Sequence, residues 1–127
     1  MTYRFKPETG LVLASVRITG PSGEAVANMA VDTGATSTLV RDAILVSIGF
    51  DPAASTDRTS ITTGSGIAFV PRVVVSRLEA LGRTVNGFPL LAHTLPAGTG
   101  VDGLLGLDFL RGRRLVVDFR KGTISLS

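Results

Sequence analysis

The sequence of 127 residues contains no cysteine, no tryptophan and a single histidine, His93. Without cysteine the chain forms no disulfide, thiolate metal site or thiol nucleophile, a composition that fits a reducing compartment. One histidine is too few for a histidine-built metal site. We therefore expect no metal and no cofactor.

Long apolar runs are also missing. No uninterrupted apolar run approaches the roughly 20 residues of a membrane-spanning helix, and the first ten residues, MTYRFKPETG, lack the apolar centre of a signal peptide. We expect a cytoplasmic protein with no membrane segment in this chain, although an anchor or a precursor outside this chain would leave the same pattern.

The charge is modest in total and uneven along the chain. Thirteen basic and ten acidic residues give a net charge of +3. Five of the basic residues cluster near the end: Arg111, Arg113, Arg114, Arg120 and Lys121. A solvated basic rim is the simpler interpretation, and a phosphate or an acidic partner is the alternative. Because no series of aromatic residues accompanies the cluster for base stacking, we expect no nucleic-acid partner.

The composition predicts a mainly β protein. Hydrophobic residues make up 44% of the chain, and 15 glycines and six prolines separate short apolar runs, which is typical of many strands joined by turns. The length fits a single domain over residues 1–127. The mean hydropathy of +0.38 is high for a small monomer, so part of the apolar surface is expected to contact a partner.

Several elements are predicted from local signals. Strands over residues 11–18 and 25–32 flank a turn, and a second hairpin spans residues 61–69 around a glycine-rich tip. Residues 38–49 are the best helix candidate, with Thr38 as N-cap and Gly49 as the stop. Strands after residue 70 are expected to break at Gly82 and Gly87. The chain closes with a hairpin of residues 115–119 and 123–126.

A single acidic residue, Asp32, follows the apolar strand that ends the first hairpin and precedes Thr33 and Gly34. One interpretation is an Asx turn, in which the carboxylate accepts hydrogen bonds from nearby backbone amides. The other is a reactive carboxylate held where Gly34 lets a second backbone approach closely. Asp-Thr-Gly alone does not decide between them.

Three further segments accompany this motif. DTGATSTLV at residues 32–40, TTGSG at 62–66, GLLGLDFL at 103–110 and the closing VVDFRKGTISL at 116–126 together resemble the retropepsin-like family of aspartic proteases, bacterial single-domain members in particular. The resemblance covers residues 11–126. It implies a closed acid-protease β-barrel with a flap hairpin and one or two short helices.

The resemblance also assigns roles. It makes Asp32 the catalytic carboxylate and Thr33 the residue that braces the two active-site loops across a dimer. The strand over residues 103–107 would pack behind the catalytic loop, with Asp108 in a structural role. The residues expected to contact substrate are Gly34, Ala35 and Thr36 beside the acid, and Thr63, Gly64, Ser65 and Gly66 at the flap tip.

The chain contains a single Asp-Thr-Gly motif, which limits how it could catalyse hydrolysis. Metal-free peptide hydrolysis needs one group to take a proton from water and another to protonate the carbonyl oxygen. The chain has one Asp-Thr-Gly, and neither Asp102 nor Asp108 precedes a loop of small residues. The second acid is therefore expected to be Asp32 of another copy, so we predict a homodimeric endopeptidase acting on a polypeptide substrate.

Other features are weaker or depart from the family. Thr36 and Leu107 are neutral where many viral members pair an acid with an arginine. His93 is interpreted as a structural or surface residue, and Ala35, Ile67 and Val70 as walls of small apolar pockets. GTGVDG at residues 98–103 lacks the lysine of a phosphate loop. Two alternatives stay open: an inactive binding or scaffold module on the protease fold, and a monomeric β-barrel that binds a small ligand.

Overall fold

The computed structural model describes all 127 residues and is mainly β, as predicted. Two short helices accompany the strands, α1 (Asp42–Ser47) and α2 (Leu107–Leu110), with a 3-10 turn at Pro52–Ala54. The ten strands are β1 (Thr2–Arg4), β2 (Leu13–Gly20), β3 (Gly23–Val31), β4 (Leu39–Val40), β5 (Arg58–Thr63), β6 (Gly66–Ala80), β7 (Arg83–Ala92), β8 (Gly103–Leu105), β9 (Leu115–Asp118) and β10 (Thr123–Leu126). No helix has the length and apolar content needed to cross a membrane.

Six strands form a closed barrel in the order β2-β3-β8-β4-β7-β6, and β6 pairs back onto β2 to close it. Closure removes the free edges that an open sheet would expose. The pairs β3–β8 and β4–β7 are parallel, and the other pairs in the ring are antiparallel. The prediction of a closed acid-protease barrel is confirmed.

The barrel core follows from alternating side chains. In β2, Ala14, Val16 and Ile18 are buried while Ser15 and Arg17 between them are exposed, as expected of a strand with one face on the core. Twenty-two buried residues form one apolar cluster. Phe109 of α2 is fully buried within it and packs edge-to-face on Phe88 at 5.9 Å between ring centroids, so α2 is fixed directly to the core.

A second sheet joins the two ends of the chain in the order β1-β10-β9. The predicted closing hairpin is present, but its first strand ends at Asp118, one residue early. The Asp118 carboxylate accepts hydrogen bonds from the backbone N–H groups of Arg120 and Lys121, both at 2.9 Å. Because that turn begins at Asp118, Phe119 lies in the turn and not in the strand.

Two local predictions need correction. Residues 38–49 are not one helix, because Leu39 and Val40 pair with β7 and β8, and α1 begins only at Asp42. The stop at Gly49 is correct, since this residue has φ +102°.

The predicted breaks at Gly82 and Gly87 fare differently. Gly82 lies in the turn between β6 and β7. Gly87 has φ +64°, yet β7 runs through it, because pairing with β6 holds on both sides at Asn86 and Phe88.

Candidate functional site

Asp32 lies at the carboxyl end of β3, where the chain leaves the barrel wall. Its backbone N–H donates to the Leu105 carbonyl oxygen at 3.0 Å, so β8 fixes the start of the loop. One carboxylate oxygen, Oδ1, accepts a hydrogen bond from the Gly34 N–H at 2.8 Å. The other, Oδ2, accepts no hydrogen bond within the chain, and the residue is half-buried. The Asx-turn hydrogen bond is therefore present, and it leaves one carboxylate oxygen available.

The far end of this loop is fixed by a buried threonine. Thr38 is fully buried, and its hydroxyl donates to Asp108 Oδ1 at 2.6 Å and accepts from the Gly106 N–H at 3.0 Å. The Thr38 N–H also donates to both oxygens of the Asp108 carboxylate, at 3.0 and 3.1 Å. Hydrogen bonds to a charged acceptor contribute about 1.5–3 kcal/mol each, so this cluster holds the loop firmly against α2.

Two glycines let the backbones approach closely behind the loop. A Cβ atom on Gly103 would lie 2.1 Å from the Leu39 carbonyl oxygen, and one on Gly106 would lie 2.8 Å from the carbonyl oxygens of Ala35 and Ser37. The neighbouring Leu107 N–H donates to the Ala35 carbonyl oxygen at 2.8 Å. The glycines of GLLGLDFL are thus required by backbone contact.

A cleft of about 1090 Å³ opens beside Asp32. Three parts of the chain line it: the loop after β3 with Leu39 and Leu104 beside it, the hairpin of β5 and β6, and the segment His93–Pro96. The sequence-predicted site residues that line this cleft are Asp32, Gly34, Ala35, Thr36, Thr63, Gly64 and Ser65. The volume lies slightly above the range of about 300–1,000 Å³ for small-molecule pockets, which leaves room for a larger ligand.

Thr33 and Gly66 do not line the cleft. Thr33 is exposed, and its hydroxyl makes no hydrogen bond within the chain. Gly66 follows the hairpin tip with φ +128°, a conformation that favours glycine. The structure therefore places Thr33 on the exposed surface of the loop after β3 and Gly66 at the first position of β6.

The expected apolar pocket walls are only partly correct. Ala35 lines the cleft, but Ile67 is 72% exposed on the outer face of the hairpin. Val70 is buried and packs on Leu39 and Leu91. The alternation of side chains along β6 explains the difference, because it turns Ala68, and not Ile67, towards the cleft.

The hairpin of β5 and β6 forms the opposite side of the cleft. Its pairing runs from Arg58 with Pro71 to Thr63 with Gly66, which leaves Gly64 and Ser65 as a two-residue loop. The Thr63 hydroxyl accepts from the Ser65 N–H at 3.3 Å and donates to the Gly66 carbonyl oxygen at 3.1 Å. The tip is held only by its own residues, in contrast to the loop at Asp32.

The segment His93–Pro96 is a part of the site that the sequence did not indicate. The chain leaves β7 at Ala92, and the His93 N–H donates to the Val40 carbonyl oxygen at 2.9 Å, which directs the segment along the cleft. Apart from Asp32, His93 is the only titratable residue in the lining. Its interpretation as a structural or surface residue stays a prediction, now for a residue that lines the cleft. No sequence motif marks this segment, since its position depends on the pairing of β4 with β7.

Asp102 directly precedes β8, and its carboxylate is bound by Arg41 and Asn28. Its Oδ1 accepts from Arg41 Nε at 2.8 Å, and its Oδ2 accepts from the Asn28 N–H at 2.8 Å. Burial raises the pKa of the Asp102 carboxyl, but the hydrogen bonds from Asn28 and Arg41 and the charge of Arg41 outweigh it, and the pKa is lowered. Asp102 is thus held as an anion that joins β3, β8 and the start of α1.

Nothing in the site gathers metal ligands. No group of three or more His, Cys, Asp or Glu side chains is placed to hold a metal ion. The reactive groups at the cleft are the Asp32 carboxylate, with Oδ2 free of hydrogen bonds within the chain, several hydroxyl groups and one imidazole.

Comparison with known proteins adds one finding. A family model described as aspartyl protease matches residues 14–109, which include the loop at Asp32, the hairpin, the segment His93–Pro96 and α2 up to Phe109. No curated protein matches the chain.

Proposed function

The chain belongs to the aspartyl protease family, and we propose that it is an aspartic endopeptidase that acts as a homodimer. One observation carries the proposal: Asp32 is fixed at the edge of a cleft of about 1090 Å³, with one carboxylate oxygen free of hydrogen bonds within the chain. Neither neighbouring acid offers a second reactive group, because the carboxylates of Asp102 and Asp108 already accept hydrogen bonds from Arg41, Asn28 and Thr38.

Two Asp32 carboxylates, one from each copy, supply the chemistry. Two carboxylates at hydrogen-bonding distance cannot both ionise, so the pair holds one proton between them. The ionised member takes a proton from a water molecule as that water attacks the peptide carbonyl carbon. The protonated member donates to the carbonyl oxygen, and a tetrahedral diol forms. The first carboxyl then returns its proton to the amide nitrogen, and the C–N bond breaks as a diol hydroxyl gives its proton to the other carboxylate and the carbonyl re-forms. The pKa values that govern this belong to the pair.

The exposed side of the catalytic loop suits a two-fold axis. Thr33 and Gly34 are both exposed, and the Thr33 hydroxyl makes no hydrogen bond within its own chain. A two-fold axis beside them makes the interface isologous and places the two carboxylates together. Thr33 of each copy then braces the opposite loop. The high apolar content of the chain has a use in such an interface.

The substrate is proposed to bind as an extended polypeptide between the loop and the hairpin. Extended peptides pair their backbones with strand-like edges while alternate side chains enter pockets. The hairpin tip from Thr63 to Gly66 is proposed to act as the flap that closes over the peptide. The lining is mostly hydroxyl-bearing and apolar residues and has few charges, which favours uncharged segments around the cleaved bond.

Cleavage of a mixed peptide library tests the proposal. Wild-type protein is expected to cleave, and Asp32→Asn to lose at least about 100-fold in kcat/KM because it removes the acid–base group. Asp42→Asn, an equal change at an exposed acid of α1, is the matched control and is expected to retain activity. Full activity of Asp32→Asn would overturn the mechanism. Tight binding of transition-state inhibitors without cleavage of any peptide would favour the inactive binding module.

Subunit mixing tests the dimer separately. Excess Asp32→Asn protein added to wild-type protein is expected to reduce activity as mixed dimers form, since each active site then holds one carboxylate. An active monomer would be insensitive to this addition. Sedimentation at the assay concentration is expected to show a dimer, and an active species that sediments as a monomer would refute the shared site.

A further inference from the structure

Charge is divided sharply between two parts of the molecule. Residues 1–6 and 111–127, which contain the terminal sheet of β1, β9 and β10 together with its turns and flanking residues, carry seven basic and one acidic side chain, a net of +6. Residues 7–110 carry six basic and nine acidic side chains, a net of −3. None of the seven basic residues of these two segments lies within 4.0 Å of a carboxylate, whereas three arginines of the remainder do. The molecule is therefore electrostatically polarised.

Four of these cations meet at one end of the terminal sheet. Arg4 is paired with Thr123 in the β1–β10 register, and the Phe5 N–H donates to the Gly122 carbonyl oxygen at 2.9 Å. This pairing brings Arg4 and Lys6 beside the turn that carries Arg120 and Lys121. All four side chains are exposed. We call these four residues the basic tip.

The acids nearest to the basic tip do not neutralise it by ion pairing. The Asp118 carboxylate accepts from two backbone N–H groups of the turn, which fixes the shape of the turn that presents Arg120 and Lys121. Glu8 follows Lys6 by two residues and makes no ion pair. The tip thus combines several uncompensated cations within a short, fixed piece of backbone.

An aromatic side chain projects from the same turn. Phe119 directly precedes Arg120 and Lys121, and its side chain is 65% exposed. Its ring contacts Phe5 edge-to-face at 5.9 Å between centroids, and this contact fixes the orientation of the exposed ring. An exposed aromatic ring that directly precedes two cations in the same turn is a combination that inserts at a membrane interface while the charges meet lipid headgroups.

A groove beside the tip adds room for a headgroup. It has a volume of about 510 Å³, half of its lining is apolar, and its polar lining includes Arg4, Lys6, Ser15 and Asn28, with no acidic residue. Phosphate groups are bound by cations and by hydrogen-bond donors of this kind.

We propose that the basic tip, with Phe119 at its apex, docks this protein on the surface of an anionic phospholipid bilayer. Clusters of at least four Lys or Arg residues beside an apolar group suit such surfaces. The net negative charge of residues 7–110 is repelled by the same surface, so the terminal sheet is the side that faces the bilayer. A nucleic acid fits less well, because the tip is a turn with one exposed aromatic ring and not a groove with a series of stacking platforms.

Vesicle cosedimentation of the full chain tests the proposal. Protein is expected to bind vesicles of phosphatidylcholine mixed with phosphatidylglycerol and not vesicles of phosphatidylcholine alone. Binding is expected to weaken steeply as ionic strength rises from about 0.01 M to about 1 M. Arg120→Gln together with Lys121→Gln is expected to reduce the partition coefficient about 30-fold, since each cation near the surface contributes about fivefold.

A charge-matched variant separates the tip from net charge. Arg58→Gln together with Arg72→Gln removes two exposed charges outside the terminal sheet and is expected to change binding less than about threefold. Arg4→Gln together with Lys6→Gln is the second tip variant, and circular dichroism of each variant checks folding. Equal losses in the tip and control variants, no binding to anionic vesicles, or tighter binding to a single-stranded oligonucleotide than to vesicles would each overturn the proposal.

Discussion

The loop at Asp32 is anchored to distant parts of the chain, whereas the hairpin tip on the opposite side of the cleft is held only by its own residues. The loop from Asp32 to Thr38 is fixed by β8 at one end and by the buried Thr38 and Asp108 cluster at the other. The hairpin tip from Thr63 to Gly66 is held by one threonine hydroxyl within the tip itself. A reactive carboxylate must be positioned to within a fraction of an ångström, whereas a segment that admits and releases a peptide must open. The difference in anchoring matches the roles proposed for the two segments.

An identical substitution in both regions gives the largest contrast. Gly103→Ala places a Cβ atom 2.1 Å from the Leu39 carbonyl oxygen, while Gly64→Ala meets no atom within 4 Å. We expect Gly103→Ala to lower the free energy of unfolding by about 3 kcal/mol or more, because overpacking against backbone cannot be relieved by a side-chain movement. Gly64→Ala is expected to change it by less than about 0.5 kcal/mol. Urea denaturation measures both, and similar values would show that the backbones of β8 and β4 behind the loop are not tightly packed.

Removing the acceptor that holds the loop should have the next largest effect. Asp108→Ala leaves the Thr38 N–H and hydroxyl without their acceptor in a fully buried site. We expect a loss of about 2–4 kcal/mol in the free energy of unfolding. Asp51→Ala, at an exposed acid whose side chain makes no capping hydrogen bond, is the control and should change stability by less than about 0.5 kcal/mol.

The same variant also tests the link between loop position and activity. At temperatures where Asp108→Ala stays folded, kcat is expected to fall while the secondary structure remains. If stability falls but kcat of the folded fraction is unchanged, Asp108 supports the fold without positioning Asp32.

The features of the loop and the hairpin that depend on local signals could be predicted from the sequence. Glycine-centred turns and alternating strands predicted the first hairpin, the tip at Gly64 and the closing hairpin, because such signals act over a few residues. The Asp-Thr-Gly motif and its companions also indicated the family and the closed barrel. The position of Asp32 at the end of a strand followed directly from the apolar run before it.

The anchoring of the loop could not be predicted in the same way. Thr38 and Asp108 are separated by 70 residues, and a threonine before an apolar run has the same local pattern as a helix N-cap. The segment His93–Pro96 reaches the cleft through the pairing of β4 with β7. Both features depend on tertiary contacts that override local propensity.

A change at the hairpin tip should affect activity more than stability. Thr63→Ala removes the hydroxyl that joins Ser65 to Gly66, and we expect the free energy of unfolding to change by less than about 1 kcal/mol, since the tip is exposed. If the tip acts as a flap, KM for a peptide is expected to rise several-fold, because the closed conformation is less well preorganised. Thr63→Ser, which keeps the hydroxyl, is the control. Unchanged KM in Thr63→Ala would show that the hydroxyl does not order the tip for binding.

The smallest effect on stability is expected from the titration of Asp102, behind the fixed loop, at low pH. The pKa of Asp102 is lowered in the folded chain, so between the folded and unfolded values the unfolded chain binds more protons. The stabilisation is therefore present above about pH 4, near the ordinary value for an aspartate, and is lost as pH falls through the lowered value. The pair is partly exposed, with 41% of the Arg41 and 24% of the Asp102 side chain accessible, so screening by solvent keeps its contribution small. Urea midpoints measured from pH 6 down to pH 2 are expected to fall less steeply for Asp102→Asn than for wild-type protein. Parallel curves would mean that this ion pair does not contribute to the acid sensitivity of the fold.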